Sequence, residues 1–171
     1  MGGGKRKLKY DTMELDEIKS MGDRIQEITS DTAHLWLWTT NSHLPESLEV
    51  VDSWGFEYKG LRTWDKVHMG LGWWLRNQTE QLILAVKKGK VRWWLDHPDK
   101  WTTLFTSPRR KHSEKPIWGV YDCITALSRG PYLELFANVE KFPPIVHKAL
   151  KDVGWTFQEA DHQAPEDEYK G

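Results

Sequence analysis

Apolar residues along the chain come in short dense runs, separated by turns and by stretches at helical spacing. Residues 33–40, AHLWLWTT, are an apolar run of strand length and predict a strand covered on both faces. The turn Asn41-Ser42-His43-Leu44-Pro45 follows, and Leu48, Val51 and Trp54 then predict a helix that Gly55 stops. Residues 56–64 predict a second strand, 81–86 a third that Glu80 opens, and 102–106 a short fourth. Strand, helix, strand in that order predicts a right-handed crossover in a mostly parallel sheet.

Residues 107–137 repeat the alternation. A basic loop, Arg109-Arg110-Lys111-His112, leads into Ser113-Glu114-Lys115-Pro116, a helix-opening signal. Ile117, Val120, Tyr121, Ile124 and Leu127 then share one helical face, Gly130-Pro131 ends it, and residues 132–137 read as a short buried strand holding one acid, Glu134. After Pro143-Pro144 a helix runs to about Gly154 and residues 155–157 form a last strand. Near the start, Thr12 opens a short helix to Ser20, and residues 21–30 form a second short helix or a loop. The whole predicts an α/β domain over residues 10–157, a three-layer sandwich. A glycine-rich, basic N-terminus (1–9) precedes it and a polar, acidic tail (158–171) follows.

Composition narrows the classes. Lys and Arg number 24 against 25 Asp and Glu, so the net charge of −1 gives no global pull toward nucleic acid or membrane, and any such attraction must be local. The one cysteine, Cys123, excludes an internal disulfide framework and suits a reducing, cytoplasmic compartment. No apolar run reaches the roughly 18 residues of a membrane span. The turn Asp96-His97-Pro98-Asp99 lacks a second His or Cys at ligand spacing, so no metal site is expected. The 11 tryptophans are the unusual count. Most should be core, yet Trp73 and Trp74 fall in residues 65–79, a polar, glycine-rich and aromatic segment between two predicted strands, where α/β proteins place ligand-binding loops.

The stretches YDTMELDEI (10–18), AHLWLWTTNSHLPES (33–47), WGFEYKGLRTWDK (54–66), GLGWWLRNQTEQLILAVK (70–87), RKHSEKP (110–116) and YLELFA (132–137) carry a resemblance. In these stretches, and in their order, the sequence resembles the adenine-N(6) methyltransferase family that includes the messenger-RNA methyladenosine writer and bacterial and phage DNA methyltransferases. The resemblance implies a Rossmann-like methyltransferase fold and transfer of a methyl group from S-adenosylmethionine to the exocyclic amine of adenine. It implies catalytic roles for Glu80 and Asn77. Lys115, Glu134, Phe136, Ala137 and Asn138 match cofactor-binding positions. Tyr10, Trp73, Trp74, Arg76, Arg109, Arg110 and Lys111 would meet nucleic acid through stacking and phosphate contacts. Each also has a plainer reading: Glu80 as a strand cap, Lys115 as a solvated helix start, the tryptophans as core, the basic loop as solvated surface.

The sequence departs from the family at three places. The Asp-Pro-Pro-Trp motif that accepts the adenine amine belongs upstream of Tyr10, so the domain is expected to be incomplete at its N-terminus. Asn138 stands where the family usually has Arg, and of the closing Gly-Trp…Gly-Asn pattern only Gly154-Trp155 is present. Three readings stay open: a methyltransferase acting on DNA in preference to RNA; a non-catalytic relative that supports an active subunit of the same family; and a nucleic-acid-binding module without a cofactor.

Overall fold

The computed structural model describes residues 13–72, 74–89, 100–109, 115–137 and 143–159. They belong to two compact units, residues 15–129 and a smaller unit that includes residues 130–171.

The larger unit holds helices α1 (Leu15–Ser20) and α2 (Gly22–Ile28), strand β1 (His34–Thr39), a single 3-10 turn (Asn41–His43), helix α3 (Leu44–Ser53), strands β2 (Phe56–Asp65), β3 (Thr79–Lys87) and β4 (Leu104–Thr106), and helix α4 (Tyr121–Leu127). The sheet order is β1-β3-β2-β4. Strand β3 is antiparallel to both neighbours, while β4 is parallel to β2. The sheet is therefore mixed, which corrects the expected mostly parallel arrangement. Strands β1 and β2 do run in one direction, as a strand–helix–strand unit requires, but β3 lies between them. The reason is the segment after β2: it folds straight back, pairing Asp65 with Thr79 and closing with Lys66 N–H on the Gln78 carbonyl at 2.9 Å.

Register assigns the faces, because side chains alternate along a strand. Trp38 pairs with Leu82 and Trp64 with Glu80, so Trp36, Trp38, Glu80, Leu82, Leu84 and Trp64 share one face. Ser128, at the end of α4, meets that face through His34 Nδ1 and the Trp36 indole, each at 2.9 Å. The opposite face carries Thr39, Gln81 and Ile83, and there Ser47 of α3 donates to Thr39 Oγ1 at 2.7 Å. Leu82, Ile83 and Ala85 are fully enclosed, and Phe56, Trp64, Val51 and Trp54 are buried as well.

Two helices differ from expectation. In α3 the buried pair is Val50 and Val51, and Leu48 faces solvent. Helix α4 starts only at Tyr121, not at the Ser113–Pro116 signal, because Gly119 sits at φ +82°, outside the helical region. Ile117, Val120, Tyr121 and Ile124 are nonetheless buried, so the apolar pattern located a core segment whose first turn is not helical.

In the smaller unit, β5 (Tyr132–Ala137) pairs in parallel with β6 (Trp155–Glu159), with α5 (Pro144–Asp152) between them in sequence. Tyr132 stacks on Trp155 at 5.0 Å between ring centroids. Strand β5 is not the buried strand expected from its sequence, since Leu133 and Phe136 are exposed. A two-stranded ribbon with one helix covers one face only.

Candidate active site

Strand β3 begins at the mouth of the sheet, and its second residue is the centre of a charged cluster. Glu80 lies opposite Trp64, with Lys66 two residues further on the same face. Its Oε1 accepts from Lys66 Nζ at 3.2 Å, and its Oε2 accepts a short hydrogen bond from Lys115 Nζ. The side chains are 18% exposed for Glu80, 13% for Lys66 and 32% for Lys115. Burial alone would raise the Glu80 pKa. The Lys115 hydrogen bond and the charges of both lysines outweigh it and hold the carboxyl below its ordinary value of 4.5.

Two tryptophans floor the cluster. Lys115 Nζ sits 5.0 Å from the Trp38 ring centroid and Lys66 Nζ 5.9 Å from that of Trp64. The rings meet edge to face, 6.1 Å apart and inclined at 73°. The Trp64 indole donates to the Ser107 carbonyl at 2.8 Å, which fixes its plane. The arrangement offers one ionised acceptor between two cations, beside aromatic surface, open to solvent at Lys115.

Arg62 braces this end from below. Its Nε donates to the Thr102 carbonyl at 3.0 Å, another guanidinium N–H donates to the Gly119 carbonyl, and Phe105 lies 4.4 Å from the guanidinium carbon. It ties β4 and the segment that carries Lys115 to β2. On the opposite face a polar chain runs from Thr63 Oγ1 to Gln81 Oε1 (2.8 Å), from Gln81 Nε2 to Asn41 Oδ1 (2.7 Å), and from Asn41 Nδ2 to Thr79 Oγ1 (3.0 Å). It pins the first residues of β3 on both sides of Glu80.

The connection from β2 to β3 is a structured finger. Asp65 accepts from Val67 N–H at 2.8 Å and from Gln78 Nε2 at 3.0 Å, and both contacts lower its pKa, the Gln78 contact more. Val67 takes φ +68°, a strained value for a β-branched residue. Gly70 N–H donates to the Asn77 carbonyl at 2.7 Å, and Asn77 Nδ2 to the Leu71 carbonyl at 3.0 Å. The arms approach closely, for a Cβ at Gly72 would lie 1.9 Å from the Leu75 carbonyl oxygen.

Among the residues singled out from sequence, the structure brings Glu80 and Lys115 into contact. Asn77 uses its amide to shape the finger, where Trp74 and Arg76 are exposed. Arg109 is exposed beside β4. Glu134 and Phe136 lie in the smaller unit, where the β5–β6 register shifts between Glu134 and Ala137 and Phe136 takes φ +59°. Tyr10, Trp73, Arg110, Lys111 and Asn138, with the Asp96–His97–Asp99 turn, lie outside the described residues. Sequence reasoning missed Lys66, Trp38 and Trp64. The signal was the alternation itself: once residues 66–78 are read as a hairpin connection, Trp64 and Lys66 share the face of Glu80.

The family match covers this cluster. A family model described as MT-A70 matches residues 3–146. The type II methyltransferase M.MunI of Mycoplasma sp is 36% identical over 134 residues, 76% of this chain and 54% of that protein. The type II methyltransferase M.HhaII of Haemophilus parahaemolyticus is 30% identical over 130 residues, 68% of this chain and 53% of that protein. The chain thus spans about half the length of these curated relatives. With the family match running through β1, β2, β3 and the segment of Lys115, the chain belongs to the MT-A70 family of methyltransferases.

Proposed function

We propose that this chain is an S-adenosylmethionine-dependent methyltransferase acting on the exocyclic amine of adenine in DNA, on a three-layer Rossmann-like scaffold. The observation that carries the reading is the Glu80 carboxylate, ionised between Lys115 and Lys66 over two tryptophans. The adenine amine is a weak nucleophile because its lone pair is shared with the ring. A site for it must accept its N–H hydrogens, orient it and exclude water. Glu80 is one such acceptor, beside the one the family's upstream Asp-Pro-Pro-Trp motif supplies. Trp38 is a rigid aromatic surface beside it, and the bracing by Arg62 and by the Asn41–Gln81 chain keeps the acceptor in place.

The donor set fits the cofactor. Lys115 has three N–H donors, of which the Glu80 bond takes one, and its half-buried ammonium suits a carboxylate or a ring nitrogen. S-adenosylmethionine, when bound, supplies an electrophilic methyl group. Within the smaller unit, the strained backbone at Phe136 marks the carboxyl end of β5, the kind of strand end where α/β proteins bind ligands, and Glu134, Phe136 and Ala137 are assigned to the cofactor on that ground together with the resemblance. DNA is preferred over RNA because there is no long helical insertion among the described residues, whose longest helix is the 10-residue α3.

The test is transfer of a labelled methyl group from S-adenosylmethionine to adenine in DNA. Label in N6-methyladenine, reduced about 10²-fold by Glu80→Gln, is the expected result. A folded chain that neither binds the cofactor nor transfers methyl overturns the reading.

A further inference from the structure

The cluster at the mouth of β3 holds two cations for one carboxylate, and the two are built in differently. Lys66 follows β2 directly. Its backbone N–H closes the hairpin on the Gln78 carbonyl at 2.9 Å, its ammonium sits beside Trp64, and its side chain is more buried than those of Glu80 and Lys115. Lys115 lies in the segment before α4, is the most exposed of the three and rests over Trp38. These two lysines are the charges that act on Glu80 among the described residues. Asp65, next to Lys66, is engaged by Val67 N–H and Gln78 Nε2. Strand β1 brings Trp38 to this end of the face, and its titratable group, His34, lies at the other end on Ser128 Oγ.

Lys115 alone would be a poor counter-charge once it serves a ligand. An anionic group that draws on its ammonium weakens its hold on Glu80, and burial then favours the protonated carboxyl, a poorer acceptor. A carboxylate has about four lone-pair sites. The lysines take one on each oxygen, which leaves sites for the N–H groups of an amine. We propose that Lys66 is a positioning residue for methyl transfer: it is the counter-charge that stays on Glu80 and fixes the direction of its free lone pairs while Lys115 serves the ligand. The inference rests on the proposed adenine chemistry and adds to that site a residue that acts only through Glu80.

The experiment measures methyl transfer from S-adenosylmethionine to plasmid DNA against pH, at saturating cofactor, for the unaltered chain, Lys66→Met and Lys66→Arg. Methionine keeps the apolar stem and removes the charge. The acid limb of the Lys66→Met profile should lie at least about one pH unit above that of the unaltered chain, so that the loss is largest in acid and fades as pH rises. Lys66→Arg keeps the charge and should restore the limb. Calorimetric titration should give Lys66→Met the cofactor affinity of the unaltered chain. A double variant, Glu80→Gln/Lys66→Met, removes both charges and should transfer no less than Glu80→Gln alone, because Lys66 acts only through the carboxylate. That pair of variants also decides the matter if Lys66→Met alone does not fold. A loss equal at every pH, a Lys66→Met profile identical to the unaltered one, cofactor binding weakened as much as by Lys115→Met, or a double variant worse than Glu80→Gln overturns the role of Lys66 while the proposed function stands. An unaltered chain that transfers no methyl overturns the proposed function, and this role with it.

Discussion

The two ends of β3 hold lysines in different ways. At the far end, Lys87 Nζ donates to the Gln26 carbonyl, the Thr29 carbonyl and Thr29 Oγ1, at 3.1 to 3.2 Å. All three donors are committed, and the charge sits against the C-terminal carbonyls of α2. At the near end, Lys115 makes one hydrogen bond among the described residues, to Glu80, and rests on the face of Trp38. One lysine is absorbed into the scaffold. The other is oriented and left with donors to spare, and a carboxylate beside it is kept ionised. On the proposed function, the contrast separates a cation that stabilises the fold from one that meets a ligand.

Between the ends lies the enclosed core, where the largest stability effect is expected. Ile83→Ala removes a fully buried side chain from the centre of the sheet and should cost about 2–5 kcal/mol in chemical denaturation. Next comes Glu80→Gln, which should lower methyl transfer about 10²-fold. It should also lower stability by about 1–3 kcal/mol, because Lys66 is left partly buried without its counter-charge. Lys115→Met should weaken S-adenosylmethionine binding about 10-fold or more by titration, since a hydrogen bond to a charged group is lost. Lys87→Met should do the reverse: stability falls by about 1–2 kcal/mol and cofactor binding stays as it was. If Lys87→Met weakens binding as much as Lys115→Met, the comparison fails.

The smallest effect is in pH. The Glu80 carboxyl has a folded pKa below 4.5, so its ionic contribution to stability is complete above that pH and is lost as pH falls through the folded value. The gap in unfolding free energy between the unaltered chain and Glu80→Gln should therefore be constant near neutrality and close on acidification below about pH 4.5. A gap that stays open in acid would mean that Glu80 acts through packing and not through its charge.

Much of the scaffold was legible from the pattern of apolar residues. The run at 33–40, the strands on either side of residues 65–79 and the helix before Gly55 all correspond to observed elements. Sheet direction was not legible. A strand–helix–strand order is compatible with adjacent parallel strands or with a third strand inserted between them, and only the closure of Asp65 on Thr79 decides. The start of α4 was misread because Pro116 and a polar cap candidate are good opening signals, while the left-handed Gly119 that delays the helix has no local signature beyond being glycine. At the site, Glu80 and Lys115 came from the family resemblance. Their contact joins residues 35 positions apart, and no local pattern encodes it. Lys66 was within reach of simple alternation, had the hairpin been recognised.

The central claim is that the cluster at the mouth of β3 is a ligand site and not a structural ion pair. Calorimetric titration of the 171-residue chain with S-adenosylmethionine and its demethylated product tests it most directly, with Lys115→Met and Lys87→Met beside it. Saturable binding that Lys115→Met weakens about 10-fold, and that Lys87→Met leaves unchanged, is the predicted result. No binding by a chain shown to be folded, or binding indifferent to Lys115, would contradict the account.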